Sequence, residues 1–231
     1  MINTKGFTGK AQAYAEARPG YSNESINYIR SLAPKDAVIA DIGAGTGKFT
    51  ELIARAGYEI FAIEPNEDMR EQLYLTLLPF SNVSIIGSTA EKTTLSDKSI
   101  DLIICSQSLG WLDLSAFKEE CRRIGKHNCF VVSLFNETPG DKPAVNSHRY
   151  TSAQASEIFF SNPIIREFPN PVKYTREKWL QFNASISDNP SPQAPDYDTY
   201  INRINLTFDR YNEDGLILCN FTTKVYCEMI T

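Results

Sequence analysis

The sequence lacks several features that mark specialised classes of protein. Its five cysteines contain no Cys-x-x-Cys pair, so neither a zinc site nor a thioredoxin-like redox site has support. No apolar run approaches the roughly 18 residues of a membrane-spanning helix. The first residues carry no apolar run behind basic ones, and we therefore expect no signal peptide. The pattern predicts a cytoplasmic protein with free thiols and no membrane partner.

Long basic runs are missing as well. Lys and Arg number 23 against 28 Asp and Glu, which gives a formal net charge of −5. Proteins that grip duplex nucleic acid usually present a basic face, so nucleic acid is not the expected partner. No metal-ligand set, catalytic triad or pair of catalytic carboxylates stands out. The sequence therefore assigns no metal site, no catalytic residue and no oligomeric state.

Between residues 36 and 138, short apolar runs alternate regularly with stretches that suit helices. The whole chain of 231 residues fits one domain, or one domain with a large insertion. Alternating strands and helices predict an α/β protein with a mostly parallel sheet and helices on both faces. Strands are predicted at 38–40, 59–63, 83–87, 100–105 and 129–134, and helices at 49–56, 66–77 and 114–125.

The remainder of the chain has a different texture. Residues 139–215 are rich in proline and aromatic residues, with candidate helices at 147–160, 176–185 and 197–211. We interpret this region as a helical lid and substrate-binding insertion over the open end of the sheet. Residues 216–231 alternate apolar and polar side chains, which predicts a final strand that returns to the sheet.

A glycine-rich junction lies where the first predicted strand meets the first helix. It reads Asp41-Ile42-Gly43-Ala44-Gly45-Thr46-Gly47, and Glu64 follows at the end of the second strand. Glycine permits positive φ angles and lets a ligand approach the backbone closely. A carboxylate at the position of Glu64 can accept hydrogen bonds from both hydroxyls of a ribose. The combination predicts a site for a nucleoside cofactor.

The glycine spacing discriminates between cofactors. The dinucleotide fingerprint is G-x-G-x-x-G, whereas here the third glycine falls at Gly47 and Lys48 takes its place. Asp41 is unfavourable beside a pyrophosphate and suitable beside a cationic amino-acid ligand. We interpret Thr46 and Lys48 as helix-start residues, not as ligands. An NAD-dependent oxidoreductase on a similar sheet remains an alternative.

These motifs resemble the class I S-adenosylmethionine-dependent methyltransferases, specifically their type 11 small-molecule group. D-I-G-A-G-T-G at 41–47 and I-E-P-N at 63–66 carry the resemblance. Residues 88–91 resemble the family's adenine-side loop, and residues 107–113 resemble the segment after its fourth strand. Residues 7–21 are similar to the N-terminal element of trans-aconitate methyltransferase-like members. Within 107–113, Gly110 stands where the group often has histidine.

The resemblance implies a Rossmann-like sheet of seven strands with the helical lid inserted before the last strand. Residues 1–35 would form an N-terminal helical segment over the cofactor site of the 36–138 core. The expected substrate pocket includes Trp111 and His148, whereas His127 precedes the fifth strand and should lie at the opposite edge of the sheet. The expected S-adenosylmethionine-binding residues are Tyr14, Arg18, Asp41, Gly43, Ala44, Gly45, Gly47, Glu64, Pro65, Ala90, Glu91 and Gln107.

The expected reaction is methyl transfer by in-line displacement to a small-molecule acceptor, whose oxygen, nitrogen or carboxylate nucleophile the sequence does not identify. A displacement at an already activated carbon needs mainly alignment and exclusion of water. An RNA methyltransferase and a sensor that binds the cofactor without turnover remain further alternatives.

Overall fold

The computed structural model describes residues 18–137, 150–186, 189–190 and 192–230. Two of the expected site residues, Tyr14 and His148, lie outside the described residues. No helix in the described part of the chain is long and apolar enough to cross a membrane.

The described chain forms a seven-stranded sheet with helices on both faces. The strand order is β3-β2-β1-β4-β5-β7-β6, and β7 runs antiparallel to both of its neighbours while the other pairings are parallel. This confirms the predicted α/β fold with a mostly parallel sheet. The elements are α1 (Asn23–Arg30), β1 (Val38–Ile42), α2 (Lys48–Ala54), β2 (Glu59–Ile63), α3 (Glu67–Leu77), β3 (Val83–Ile86), β4 (Ile100–Ser106), a 3-10 turn (Leu109–Trp111), α4 (Leu114–Ile124), β5 (Gly125–Glu137), α5 (Ser152–Phe159), β6 (Ile164–Thr175), α6 (Arg176–Ala184), α7 (Tyr197–Tyr211) and β7 (Leu216–Met229).

The two faces of the sheet bury separate apolar clusters, because successive residues of a strand point to opposite sides. On β1, Ile39 packs into the cluster that contains residues of α1 and α2. Its neighbours Ala40 and Ile42 pack into the opposite cluster, which contains residues of α4 and α5. The strands are therefore covered on both faces, as their nearly continuous apolar runs require.

Side-chain caps determine where several helices begin. The side chain of Asn66 accepts a hydrogen bond from the backbone N–H of Met69, at 3.0 Å, and α3 starts directly after it. Asp113 caps α4 in the same way, and its carboxylate accepts from two backbone N–H groups. Both caps satisfy donors that the first helical turn leaves unpaired. They start two helices at the carboxyl end of the sheet, beside the loops of interest.

The sequence did not predict strand β6. The predicted lid spans residues 164–175, but these residues form the edge strand of the sheet and pair antiparallel with β7. Pro169 and Pro171 suggested broken structure, yet an edge strand tolerates proline because one side of its ladder has no partner. The helices α6 and α7 do lie between β6 and the last strand. They extend over the aromatic cluster formed with β6 and β7.

Candidate cofactor-binding site

The glycine loop is held against the neighbouring strand by its own backbone. The N–H groups of Gly43 and Ala44 both donate to the carbonyl of Ile63, at 2.8 and 3.0 Å. Gly43 and Gly45 have positive φ angles of 69° and 59°, which L side chains rarely adopt. A Cβ on Gly43 would lie 2.6 Å from that of Ser108, whereas nothing lies within 4 Å of the corresponding position on Gly45. The backbone at Gly45 therefore borders open space that a ligand can enter.

Glu64 joins the ends of β1 and β2. Its Oε2 accepts from the backbone N–H of Gly45 at 2.9 Å, and its Oε1 accepts from that of Asn66 at 2.8 Å. The side chain is buried, and burial raises the pKa of its carboxyl group above the ordinary value, while both backbone hydrogen bonds oppose that rise. A carboxylate oxygen has two lone-pair sites. Each oxygen of Glu64 thus retains capacity to accept one more hydrogen bond.

Asp41 lies beneath the loop and is almost completely buried. Its Oδ2 accepts a 2.6 Å hydrogen bond from the hydroxyl of Thr50 in α2. Its Oδ1 is buried without a hydrogen-bond partner. Burial raises the pKa of this carboxyl to about 7, the hydrogen bond from Thr50 opposes the shift, and the charge of Glu64 adds to it. Asp41 is therefore a buried acid with one unsatisfied oxygen beside the loop.

A pocket of about 410 Å³, including the part open to solvent, lies above the glycine loop. Five of the expected cofactor-binding residues line it, namely Arg18, Gly43, Ala44, Gly45 and Gln107. Sequence reasoning missed the others, which are Pro19, Tyr21, Thr46, Lys48, Phe49 and Ser106.

Among these missed residues, Thr46 and Lys48 were interpreted only as helix-start residues. Lys48 is indeed the first residue of α2, but both residues also line the pocket because the helix begins at its wall. Thr46 and Lys48 follow Gly45 by one and three residues, and this closeness in sequence could have indicated that they line the pocket. Residues next to a short glycine loop lie close to any ligand that the loop binds.

The end of β4 forms the opposite wall. Gln107 has a positive φ of 60°, and its backbone N–H donates to the carbonyl of Leu134 at 2.9 Å. The hydroxyl of Ser108 donates to the carbonyl of Ile42 at 2.5 Å, which joins this segment to β1. Left-handed backbone at a non-glycine residue is uncommon and concentrates at functional positions. The fold thus holds Ser106 and Gln107 against the glycine loop.

Gly47 and Pro65 lie outside the pocket and contact residues of α3. Gly47 has a φ of 85°, and a Cβ there would lie 2.8 Å from the Leu73 side chain of α3. The requirement for glycine at this position therefore comes from helix packing. The carbonyl of Pro65 accepts a 2.7 Å hydrogen bond from Arg70. In the described residues, neither Gly47 nor Pro65 lines the pocket.

The segment after β3 is attached to α4 at two points. Ala90 is fully buried, and the carboxylate of Glu91 accepts from the backbone N–H of Asp113 at 3.0 Å. Two residues further on, Thr93 donates to the buried carboxylate of Glu120 from its backbone at 2.8 Å and from its hydroxyl at 2.6 Å. These contacts hold the segment at the carboxyl edge of the sheet. Neither Ala90 nor Glu91 is among the described residues that line the glycine-loop pocket.

The segment around Arg18 connects the glycine loop to α6. Lys48 donates to the carbonyl of Arg18 at 2.5 Å, and the Arg18 guanidinium donates to the carbonyl of Ser185 at 3.2 Å. The same guanidinium lies 5.8 Å from the ring centroid of Phe182 in α6. Arg18 therefore has its backbone against the first residue of α2 and its side chain against the end of α6.

Two residues singled out in the sequence lie at opposite edges of the sheet. Trp111 is half-buried in the 3-10 turn after β4, at the carboxyl edge. His127 lies near the start of β5, beside a cleft that includes Lys126 and Ile230 at the other edge. That position agrees with the expectation that His127 lies away from the site. No group of three or more His, Cys, Asp or Glu within the described ranges is arranged to hold a metal ion.

Gly110 stands where the resembled group often has histidine. A Cβ at this position would lie 2.4 Å from the carbonyl oxygen of Tyr150, just before the capped start of α5. The close approach of that backbone leaves no room for a side chain. Glycine at position 110 therefore allows the backbone of Tyr150, which leads into α5, to pack against it.

Residues 40–133 match the family model described as a methyltransferase domain. An uncharacterized methyltransferase of Mycobacterium tuberculosis (strain ATCC 25618 / H37Rv) is 31% identical over 118 residues, covering 51% of this chain and 46% of the relative. The malonyl-[acyl-carrier protein] O-methyltransferase of Methylococcus capsulatus is 31% identical over 113 residues, covering 47% of this chain and 41% of the relative. The chain spans about half the length of the relatives that it matches.

Solved structures share the fold over nearly the whole chain. A provisionally assigned type II methyltransferase from Anaeromyxobacter dehalogenans has a TM-score of 0.70 at 17% identity, covering 92% of this chain and 97% of that one. Phosphoethanolamine N-methyltransferase 2 of Haemonchus contortus has a TM-score of 0.59 at 13% identity, covering 97% of this chain and 58% of that one. Residues 40–133 are thus similar to a methyltransferase domain, and the described chain shares the fold of these structures.

Proposed function

We propose that this protein transfers a methyl group from S-adenosylmethionine to a small-molecule acceptor. The observation that carries the proposal is the contact of Glu64 with the backbone N–H of Gly45 at the edge of open space. Both oxygens of Glu64 already accept one backbone hydrogen bond, so the carboxylate is oriented before any ligand binds. Its remaining lone pairs suit the two vicinal hydroxyls of a ribose.

The charge around the loop disfavours a dinucleotide. A pyrophosphate bound at the glycine loop would lie close to the carboxylates of Asp41 and Glu64. S-adenosylmethionine instead contains an ammonium group and a sulfonium, for which buried acids are suitable neighbours. The unsatisfied Oδ1 of Asp41 is the type of acceptor that such a cation requires. These features support a cofactor without phosphate over the NAD-dependent alternative.

The cofactor, when bound, supplies a methyl group that its sulfonium has already activated. The chain would position this group with residues from three elements. Glu64 would orient the ribose, the guanidinium of Arg18 can pair with the amino-acid carboxylate, and Gln107 lines the same pocket as Arg18. Tyr21 packs edge-on against Phe49 at 5.4 Å and helps to exclude water from the wall. Alignment and a dry site then favour in-line displacement.

The acceptor side belongs to the region around α6 and α7, which we propose to act as a lid. Trp179, Phe182 and Tyr174 form an aromatic group there, with Tyr174 and Phe182 stacked at 5.3 Å. Aromatic walls suit a small, partly apolar substrate. A structure of the same fold, the Haemonchus contortus enzyme, is described with phosphomonomethylethanolamine and S-adenosylhomocysteine. A small acceptor is thus better supported than RNA. A trans-aconitate methyltransferase-like subtype and a cytoplasmic location are parts of the same proposal.

Calorimetry with S-adenosylmethionine, S-adenosylhomocysteine and NAD tests the cofactor assignment. The wild-type protein should bind the first two and not NAD. Glu64→Gln should weaken binding about 10-fold or more, because an amide cannot replace both acceptor oxygens. Glu59→Gln, an exposed residue at the other end of β2, is the matched control. Binding of NAD alone would overturn the proposal.

Turnover separates an enzyme from a sensor. Formation of S-adenosylhomocysteine, followed by mass spectrometry across a panel of small carboxylates, amines, alcohols and thiols, should identify at least one acceptor. Cofactor binding without turnover on such a panel would favour the sensor alternative.

A further inference from the structure

Two asparagine side chains from different strands meet at one backbone carbonyl beside the cofactor pocket. Asn136, near the end of β5, donates from its Nδ2 to the carbonyl of Gly20 at 2.9 Å. Asn170 on β6 donates from its own Nδ2 to the same carbonyl at 2.8 Å. Strand β7 lies between β5 and β6, so the two amides come from either side of it. Gly20 itself lies outside any helix or strand.

The hydrogen bonds around this carbonyl form a saturated network. Nδ2 of Asn170 also donates to Oδ1 of Asn136 at 3.0 Å, and that oxygen accepts a second hydrogen bond from the hydroxyl of Thr223 at 2.6 Å. An amide nitrogen has two donors and a carbonyl oxygen has two acceptor sites, so Asn170 and Gly20 use all of theirs. Thr223 is fully buried on β7 and pairs with Asn136 across the strands. The network is therefore anchored in the sheet.

The alternation of side chains places the network on the face of the sheet that α1 and α2 cover. Leu134 and Val225 lie two residues from Asn136 and Thr223, and both pack into the apolar cluster that contains residues of α1 and α2. Side chains two residues apart in a strand point to the same face. The network thus lies where the chain passes from the cofactor pocket into α1, which begins at Asn23.

Gly20 is the middle of the wall segment, residues 18–22, which forms one side of the cofactor pocket. Arg18, Pro19 and Tyr21 line the pocket, whereas neither asparagine is among the described residues that line it. The first residue of α2 donates to the carbonyl of Arg18, and the ring of Tyr21 packs against a ring of the same helix at 5.4 Å. Helix α2 and the two asparagines therefore hold the wall segment from different sides.

From these contacts we infer that Asn136 and Asn170 are positioning residues for the cofactor, which act by fixing the carbonyl of Gly20. The inference rests on the proposed methyl transfer and extends its cofactor site. With that carbonyl fixed, Arg18 and Tyr21 stand at the pocket before a ligand arrives. Binding then does not have to order the wall segment, and such ordering would reduce affinity. The edge strand β6 thereby contributes to the cofactor site, although three strands separate it from β1.

Calorimetric titration of the full chain with S-adenosylhomocysteine tests the effect on affinity. Asn136→Ala and Asn170→Ala should each weaken binding about 5-fold, through loss of a hydrogen bond to the wall segment. Asn170→Asp keeps the size of the side chain but has no donor, so it should weaken binding at least as much as Asn170→Ala. Ser156→Ala is the matched control, because it removes the hydrogen bond from Ser156 to Ser133 of β5 on the opposite face of the sheet. It should lower thermal stability without changing the affinity.

Amide hydrogen exchange of the cofactor-free protein supplies a second readout that needs no ligand. The backbone N–H groups of Ser25 and Ile26 donate to Ser22, two residues beyond Gly20. In Asn170→Ala these two amides should exchange faster, while those of β5 and β7 keep their protection. This pattern separates positioning of the wall segment from a general loosening of the sheet.

Three results would overturn the inference. The first is wild-type affinity in both Asn170 variants, and the second is an equal loss of affinity in Ser156→Ala. The third is exchange in Asn170→Ala that accelerates as much in β5 and β7 as at the start of α1. If Asn136→Ala does not fold, the two Asn170 variants decide alone, because Asn170 lies on the edge strand.

Failure of the proposed function is recognised separately. If the wild-type protein does not bind S-adenosylhomocysteine, the cofactor assignment fails, while the exchange measurement still reports whether the asparagines hold the wall segment. If the wild-type protein binds it and the Asn170 variants bind it equally well, only the inference about the asparagines fails.

Discussion

The hydroxyl of Thr50 donates a 2.6 Å hydrogen bond to Oδ2 of Asp41 and so joins the first turns of α2 to the end of β1. Both residues are buried. The contact gives one oxygen of Asp41 a partner and leaves the other without one. One oxygen of this carboxyl group thus stabilises the fold, and the other is available to a ligand. Each role can be tested.

Loss of the Thr50 hydroxyl should destabilise the fold. Thr50→Val removes the donor while keeping the shape, and it leaves a buried carboxyl oxygen unsatisfied. We expect the free energy of unfolding to fall by about 1–3 kcal/mol. Thr50→Ser retains the hydroxyl and should lose less. Urea denaturation measures both variants, and equal stability of wild type and Thr50→Val would show that the hydrogen bond contributes nothing.

The titration of Asp41 should make stability depend on pH. Burial raises the pKa of Asp41 to about 7, against an ordinary value near 3.9 in the unfolded chain. The native state therefore binds more protons between these values, and its stability should fall as pH rises from about 4 to about 7. For a shift of about three pKa units the effect is on the order of 4 kcal/mol.

Asp41→Asn isolates this contribution because the amide keeps the size of the side chain and does not titrate. Urea unfolding of the cofactor-free protein across this pH range should show the decline in wild type and a weaker one in Asp41→Asn. Parallel pH profiles for the two proteins would place the titrating group elsewhere.

Gly45 and Gly47 should respond to substitution in different ways. Both have positive φ, so Gly45→Ala and Gly47→Ala each introduce backbone strain of about 1–2 kcal/mol. At Gly47 the new Cβ would also lie 2.8 Å from Leu73, which adds a packing conflict. At Gly45 it would enter the open space of the cofactor pocket. We expect Gly47→Ala to reduce thermal stability more, and Gly45→Ala to reduce S-adenosylhomocysteine affinity more. The reverse order would contradict the assignment of Gly45 to the ligand side.

Two buried tyrosines, one in β6 and one in α7, provide a paired test of buried hydroxyl groups. The hydroxyl of Tyr174 is buried without a hydrogen-bond partner, whereas that of Tyr200 bonds the side chain of Asn189 at 2.7 Å. Tyr174→Phe removes an unsatisfied polar group and should leave stability unchanged or higher. Tyr200→Phe removes a formed hydrogen bond and should cost about 1 kcal/mol. Thermal denaturation of both variants distinguishes these outcomes, and a larger loss for Tyr174→Phe would reveal a partner for its hydroxyl.

Sequence patterns anticipated the central part of the fold closely. The runs around 59–63 and 100–105 became β2 and β4 with almost the same bounds, because strands buried on both faces need continuous apolar residues. The sequence pattern did not predict strand β6, because its residues are mostly exposed and include two prolines. An edge strand is defined by its partner, and the partner β7 lies more than 40 residues further along the chain. No local pattern contains that information.

The sequence alone determined the elements of the candidate cofactor site. The glycines at 43 and 45 and the acid at 64 are local requirements, since each depends on the backbone geometry or chemistry of its own strand end. Only the tertiary structure decided how they act together. It placed Glu64 on the backbone of Gly45, left one oxygen of Asp41 unsatisfied, and brought the guanidinium of Arg18 to the carbonyl of Ser185 after α6. Such contacts join residues that are distant in the chain, and they exist only because the parallel strands end at one edge of the sheet and the end of α6 lies within reach of Arg18.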